Sequence, residues 1–282
     1  MSVAGSTPGY GSASVPELVV ASFNTHAGVD GWGRPYDLVA ACRVIDADVL
    51  VLQESFAPEG GPSDAAAVAE HLGYRLLEAP LAPAARLGPH PEPTGGWGPV
   101  PRRSRIDRRL WVGASRKAVA RHTGVAPSSI EPGTWGLAVL SRLPVLESRV
   151  VELGRLRRDF TRRAALVVVL DVEGLALTVV ATHLAHFSHG SPLHFWRLRR
   201  ELPGAGDLAV LAGDMNFWGP PVAAALPGWR RAARGPTWPA DSPHSQLDHI
   251  LVTRPVEVTA SEVLDVGGSD HRPVRASIHL GV

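Results

Sequence analysis

Eight side chains able to handle protons, water or a cation fall at particular points of this 282-residue chain. Asn24, Glu54, His183, Asp214 and Asn216 each stand at or just past the C-terminal end of an apolar run. Asp248 opens such a run, and Asp270 and His271 occupy the turn before the last one. Singly, each has a structural explanation, because Asp and Asn favour turns by bonding to local backbone. Together, eight polar residues at strand rims make a shared active site the simpler account. In "LAVLAGDMNFWGP", residues 208–220, Asp214 and Asn216 lie two apart, so on a strand their side chains share a face. The oxygen donors of the set are Glu54, Asp270, Asp214 and the two asparagines. They favour Mg2+ or Mn2+ over Zn2+, and a hard cation held by few carboxylates suits the phosphoryl oxygens of an in-line displacement.

The elements that must position these groups follow from hydrophobic periodicity. Strands are expected at 17–23, 48–54, 74–78, 135–141, 164–172, 175–183, 207–213, 248–252 and 273–280. Helices are expected at 36–46, 63–72 and 192–202, with a tight turn at "EG", Glu173 and Gly174. Between 80 and 133 the pattern breaks into a Pro-, Gly- and Arg-rich insertion with a helix somewhere in 104–121. A loop of that length inside a domain is usually functional or disordered. Helices and strands in two runs, with hairpins between, predict an α/β fold: two mixed sheets packed face to face with helices outside, over residues 17–282. Residues 1–16 read as a flexible lead-in.

Composition sets the outer limits. The chain is 45% hydrophobic with a net charge of +1 and a pI near 8.1, too weakly basic to announce a dedicated nucleic-acid binder. Its lone Cys42 excludes an intrachain disulfide. The start lacks the basic and apolar regions of a signal peptide, and no apolar run reaches membrane-span length, so the cytoplasm is the expected location and a monomer the default. Positive charge is concentrated in 101–121, where Arg102, Arg103, Arg105, Arg108, Arg109, Arg116, Lys117 and Arg121 surround Trp111 and face one acid, Asp107. Such a segment is either a solvated surface or a basic wall for a polyanionic substrate such as nucleic acid.

The segments "SFNTH", "LQES", "GLAVLSRLP", "RRAAL", "ATHLAH", "GDMNFWG", "LDHILV" and "SDHRPV" appear in that order over roughly residues 18 to 280. This ordered set resembles the endonuclease/exonuclease/phosphatase superfamily, which contains deoxyribonuclease I-like nucleases, abasic-site endonucleases, inositol phosphatases and neutral sphingomyelinases. The resemblance implies a four-layer α/β sandwich and a metal-dependent phosphoesterase. It implies Glu54 as the main metal ligand, helped by Asn24 and Asp270. It implies that Asp214 orients or deprotonates the attacking water while Asn216 fixes it and a phosphate oxygen. Asp248 would pair with His271, favouring an imidazolium, and His183 would sit opposite, near the leaving group. Whether Asp214 or His271 is the general base stays open at this level. Arg163 is a candidate phosphate contact, because guanidinium matches phosphate geometry, and His186 with His189 a candidate substrate contact beside the cleft.

Departures narrow the substrate class. His26 stands where many family members carry an acid or amide, which weakens the case for a second oxygen-rich metal site. The tryptophan-cysteine-aspartate-arginine motif of inositol polyphosphate 5-phosphatases is missing, since "SQLDHILV" stands there, and so is the lysine-bearing start of abasic-site endonucleases. A nuclease-like or small-phosphodiester hydrolase is the leading expectation. The alternatives are a sphingomyelinase-like phospholipid diesterase, a small-molecule phosphatase and, more remotely, a non-catalytic binding module. The spacing of His183, His186 and His189 suggests zinc, but no cysteine or carboxylate in that stretch completes a site.

Overall fold

Runs such as 49–52 and 209–212 are apolar at every position, the pattern of strands covered on both faces. The computed structural model describes residues 17–88, 111–112, 116–123, 129–159 and 161–281. In chain order it contains β1 (Glu17–Asn24), α1 (Leu38–Ile45), β2 (Val49–Pro58), α2 (Asp64–Leu72), β3 (Arg75–Leu87), β4 (Trp111–Val112), α3 (Arg116–Thr123), β5 (Ile130–Ser141) and β6 (Val145–Gly154). Then follow β7 (Arg163–Val172), β8 (Leu175–His183), α4 (Ser191–Leu198), β9 (Ala209–Asp214), α5 (Gly219–Ala225), β10 (Trp229–Arg231), β11 (Asp248–Thr253), β12 (Val256–Val263) and β13 (Val274–Leu280). One sheet has seven strands in the order β12-β13-β1-β2-β5-β3-β4, and the other six in the order β10-β11-β9-β8-β7-β6. Both are mixed: β1 runs parallel to β2, and β8 parallel to β9, among antiparallel neighbours.

Alternation along the strands builds the layers. Val20, Val49 and Val51 of the first sheet meet Val179, Val210 and Ile250 of the second in one inter-sheet core. The intervening Ala21, Phe23, Leu50 and Leu52 pack under α1 and α2. On the other side Val180, Leu211 and Leu251 pack under α4 and α5. The result is the four-layer sandwich. Local signals set the helix ends: the Asp37 and Ser63 side chains accept from Ala40 and Ala66 N–H at 2.8 and 2.9 Å, and Gly73 closes α2 in the left-handed region. No helix among the described residues is long and apolar enough to cross a membrane.

Three differences from the sequence expectation have physical causes. The strand expected at 74–78 runs on to Leu87, and its partner β5 begins at Ile130, so regular structure takes both ends of the supposed insertion. Pro80 and Pro83 read as breakers. Yet among the described residues β3 is flanked on its outer side only by β4, opposite Ala85 and Arg86, so their missing N–H groups cost no ladder bond there. Strands β6 and β12 lie at sheet edges with most side chains in solvent, which removes the apolar pattern that would reveal them. The expected helix at 192–202 is shorter, Ser191–Leu198. The lead-in 1–16 and Arg102, Arg103, Arg105, Asp107, Arg108 and Arg109 lie outside the described residues. Arg116 and Lys117 belong to α3.

Candidate active site

The inward-facing positions of the core turn polar at one end of the sandwich. Two residues beyond Ala181 and Ala212 stand His183 and Asp214, and two before Ile250 stands Asp248. Strand register sets these three in one row, His183 beside Asp214 and Asp214 beside Asp248. From the opposite sheet, Asn24 ends β1 on the same face as Val20 and Ser22. Its Nδ2 donates to Asp214 Oδ2 at 3.1 Å, joining the two sheets across the end of their core. Gly213 makes the row possible. It sits at φ 152°, and a Cβ there would lie 1.9 Å from the Thr182 carbonyl oxygen, so any side chain would push β9 off β8.

Asp214 is 2% exposed and heavily bonded. Its Oδ1 accepts from Asn216 N–H at 2.8 Å, and its Oδ2 accepts from Asn216 Nδ2 at 3.3 Å as well as from Asn24. Asn216, in the left-handed region at φ 49°, also donates to Leu184 O at 3.1 Å. His183 Nε2 lies 3.5 Å and His271 Nε2 3.9 Å from Asp214 Oδ2. His271 Nδ1 bonds Asp248 Oδ2 at 2.8 Å. Ser269 Oγ accepts from His271 N–H and donates to Asn24 O at 2.7 Å, fixing the turn before β13 to the end of β1.

Burial and neighbouring charges together set the ionisation of the row. Burial acts first on Asp214 and pushes its carboxyl up to about 7, against the opposing pull of His271. Burial also disfavours the His271 imidazolium, but the Asp248, Asp214 and Asp270 carboxylates outweigh it and hold His271 well above its ordinary value. His183 is driven the other way, by burial first and then by the Arg163 and His271 charges, and stays neutral. His194 and His249, both fully buried, are pushed down to about 4 by desolvation and are neutral core residues.

The remaining candidate oxygen donors are placed by a different route. Glu54 is the extra residue of a β-bulge between Gln53 and Ser55, with φ 53°. The bulge interrupts the alternation that would otherwise carry its side chain to the helix-covered face. Thr25 bonds the Gln53 and Glu54 carbonyls. His26, Ala27 and Gly28 then form a left-handed run, whose Ala27 carbonyl accepts from Arg86 Nη1 at 2.6 Å. His26 N–H donates to Asn24 Oδ1 at 3.0 Å, and its ring lies 3.7 Å from Asp270. Tyr36, bonded to Thr25 O, is raised well above its ordinary value by burial first and then by nearby negative groups, Asp270 and Glu54 included. Glu54, Asp270 and Asn24 each neighbour the segment 25–28, and their side-chain oxygens are hard donors of the type that could hold a cation such as Mg2+. The residues whose ligand atoms lie within 4.8 Å of one another, among those described, are Asp214, Asp248 and His271, a group that could also hold a metal ion. His183, His186 and His189 form no such group.

Arg163 reaches the site wall but is already engaged. It is 7% exposed, its Nε donates to Asp159 Oδ2 at 2.8 Å, and its guanidinium lies over the Trp135 ring. Trp135 in turn meets His183 edge-on at 5.0 Å. His186 is exposed on the loop after β8, with Nδ1 bonded to Ser188 Oγ at 2.7 Å. Sequence reasoning missed Trp135, Tyr36 and Ser269. Of these only Ser269 carried a local signal, a hydroxyl two residues before His271.

A family model described as Endonuclease/Exonuclease/phosphatase family matches residues 21–271. No curated protein matches the chain significantly. Among solved structures, the chain is similar to an endonuclease/exonuclease/phosphatase from Beutenbergia cavernae DSM 12333 at 22% identity and a TM-score of 0.61, over 94% of this chain and 72% of that one. It is similar to the human Nocturnin catalytic domain with bound sulfate anion at 16% identity and a TM-score of 0.60, over 94% and 95%. It is also similar to D. rerio TDP2 complexed with single strand DNA product at 15% identity and a TM-score of 0.56, over 93% and 99%.

Proposed function

This chain belongs to the endonuclease/exonuclease/phosphatase family, and we propose that it is a Mg2+- or Mn2+-dependent phosphodiester hydrolase of the nuclease-like or small-diester kind, working by in-line attack of water. The observation that carries the reading is the buried row His183–Asp214–Asp248 with His271 hydrogen-bonded behind it. Glu54, Asn24 and Asp270 would hold the cation. When bound, it neutralises charge on the phosphoryl oxygens and polarises phosphorus.

The protein's own groups divide the remaining work. Asp214, pushed up to about 7, is a base poised near neutral pH. Asn24 and Asn216 occupy defined lone pairs of its carboxylate, which aims the rest at an attacking water. His271 stays protonated through Asp248, and its Nε2–H provides positive charge and a donor where a phosphoryl oxygen gains charge. That charge distribution supports Asp214 rather than His271 as the base. Neutral His183, packed on Trp135, offers Nε2 near Asn216 for the leaving group. Arg163, neutralised by Asp159, supports Trp135 and the His183 carbonyl rather than a free phosphate. His186, exposed beside the cleft, remains a substrate contact in this reading.

The test is a Mg2+- and Mn2+-supplemented assay on a bis-aryl phosphodiester, plasmid DNA, phosphatidylcholine or sphingomyelin vesicles, and phosphomonoesters, with chelator controls. Metal-dependent diester cleavage is expected. Activity confined to monoesters or to lipids would replace the substrate class, and folded protein inert on every substrate would favour a binding module.

A further inference from the structure

Three large aromatic side chains are left exposed among the described residues: Phe187, Trp196 and Trp218. Trp196 is covered by its own neighbour, with the Arg200 guanidinium 3.7 Å above the ring. The other two lie on the loops that carry His183 and Asn216. Phe187 is 44% exposed, four residues past His183, and Trp218 is 52% exposed, two residues past Asn216.

Isolated exposed rings are ordinary on protein surfaces, but these are parts of one stack. Phe187 lies on Phe217 at 5.1 Å with 21° between the planes, and Trp218 on Phe217 at 6.2 Å and 26°. Phe187 and Trp218 are themselves 5.5 Å apart. Phe217, the half-buried member, is held from below by Phe195 of α4 at 5.7 Å, and its carbonyl accepts from His249 Nε2 at 2.8 Å. The outer rings therefore present a platform whose inner member is anchored in the core of the second sheet, so little side-chain freedom is left to lose when a ligand binds.

The chemistry of the rim selects the ligand. Phe187 and Trp218 are tilted 39° to each other, so a planar heteroaromatic ring would lie face to face on one of them and meet the other obliquely, while its edge can bond to polar neighbours. The loop supplies such neighbours in His186, Ser188 and His189. An acyl chain gains nothing from ring orientation and would lie against imidazoles and a hydroxyl.

We propose that Phe187 and Trp218 form a stacking subsite for a nucleobase adjacent to the scissile phosphate, so that the substrates are single-stranded or end-frayed nucleotide phosphodiesters. This rests on the phosphoesterase reading of the neighbouring row. A base inside a duplex has both faces covered, so only an unpaired base can use the platform.

The test compares the full-length wild type with a Phe187→Ala/Trp218→Ala variant whose fold is checked by circular dichroism and melting temperature. The substrates are a short single-stranded oligonucleotide and the same strand with an abasic tetrahydrofuran residue at the scissile position. The wild type should prefer the base-bearing strand by about 5- to 150-fold, the range that base–aromatic stacking covers. The variant should lose that preference while its kcat/KM on the abasic strand stays within about twofold, because its reacting groups are untouched. Equal rates on both strands in the wild type, or a preference retained by the variant, would overturn the subsite. Loss confined to phosphatidylcholine or sphingomyelin vesicles would overturn it in favour of a lipid-facing surface. If the wild type cleaves nothing, calorimetric binding of the two strands in chelator separates the two readings. Base-dependent affinity that the variant lacks keeps the subsite while the hydrolase falls, and affinity indifferent to the base removes both.

Discussion

On the six-stranded sheet the side chains proposed for proton chemistry are set by strand register, whereas Glu54 and Asp270, the carboxylates proposed for the cation, are set outside regular register. His183, Asp214 and Asp248 occupy consecutive rungs of regular ladders and are almost wholly buried. Glu54 sits in a bulge, and the turn 26–28 beside Asn24 is left-handed at every residue. The side chain of Asp270 is 31% exposed against 2% for Asp214. Under the proposed function the two halves answer different requirements. Proton transfer needs fixed short distances and a dry environment that shifts acidities, which ladders provide. Cation binding needs carboxylates free of strand alternation, which a bulge and a turn provide.

The contrast breaks most visibly in the chemical step. Asp214→Asn and His271→Ala should each lower kcat by about 10²–10⁴-fold, the range for a positioned proton-transfer group, without changing the metal concentration that half-saturates activity. A metal titration of each variant checks this. A shifted midpoint would mean that the dry row itself holds the ion.

Glu54→Gln should do the reverse. The half-saturating metal concentration should rise by at least about 10–100-fold, which is what even an outer partner of a metal ligand is worth. At saturating metal the pH profile should keep its wild-type shape. An unchanged metal requirement would detach Glu54 from the cation.

The smallest effect concerns acidity. Activity should rise with pH through about 7 as Asp214 ionises. The same shift has a stability consequence of opposite sign. Asp214 binds its proton more tightly folded than unfolded, so its contribution is complete below the ordinary carboxylate range and is lost as pH climbs toward 7 and beyond. Melting temperatures of wild type and Asp214→Asn should therefore diverge in favour of the variant between about pH 4 and 8. Parallel curves would show that the carboxylate is not desolvated.

What the sequence made legible follows the same division. Apolar runs ending on Asp214, His183 and Asn24 were readable because strand alternation is a property of local order, and their convergence at one rim follows from parallel neighbours ending together. The bulge at Glu54 was not readable: no glycine marks it, and its left-handed residue is an acid. Strands β6 and β12 were hidden because edge strands facing solvent lose their apolar period. The engagement of Arg163 was hidden because Asp159, four residues away, precedes β7 in an irregular stretch that gives no periodic signal. The stack of Phe187, Phe217 and Trp218 joins two loops about thirty residues apart, a distance no motif spans.

The bond between Ser269 Oγ and Asn24 O links positions 245 apart in the chain. Translation proceeds at about 5–20 residues per second. Asn24 and Glu54 therefore leave the ribosome roughly 10–50 s before the turn that carries His271. Through most of that interval a nascent chain carries Glu54 but neither Asp248 nor His271, and in the proposed mechanism it would lack the groups of the chemical step. On that reading activity would arrive only once β13 lies in place between β12 and β1, so an unfinished chain would be inactive by construction.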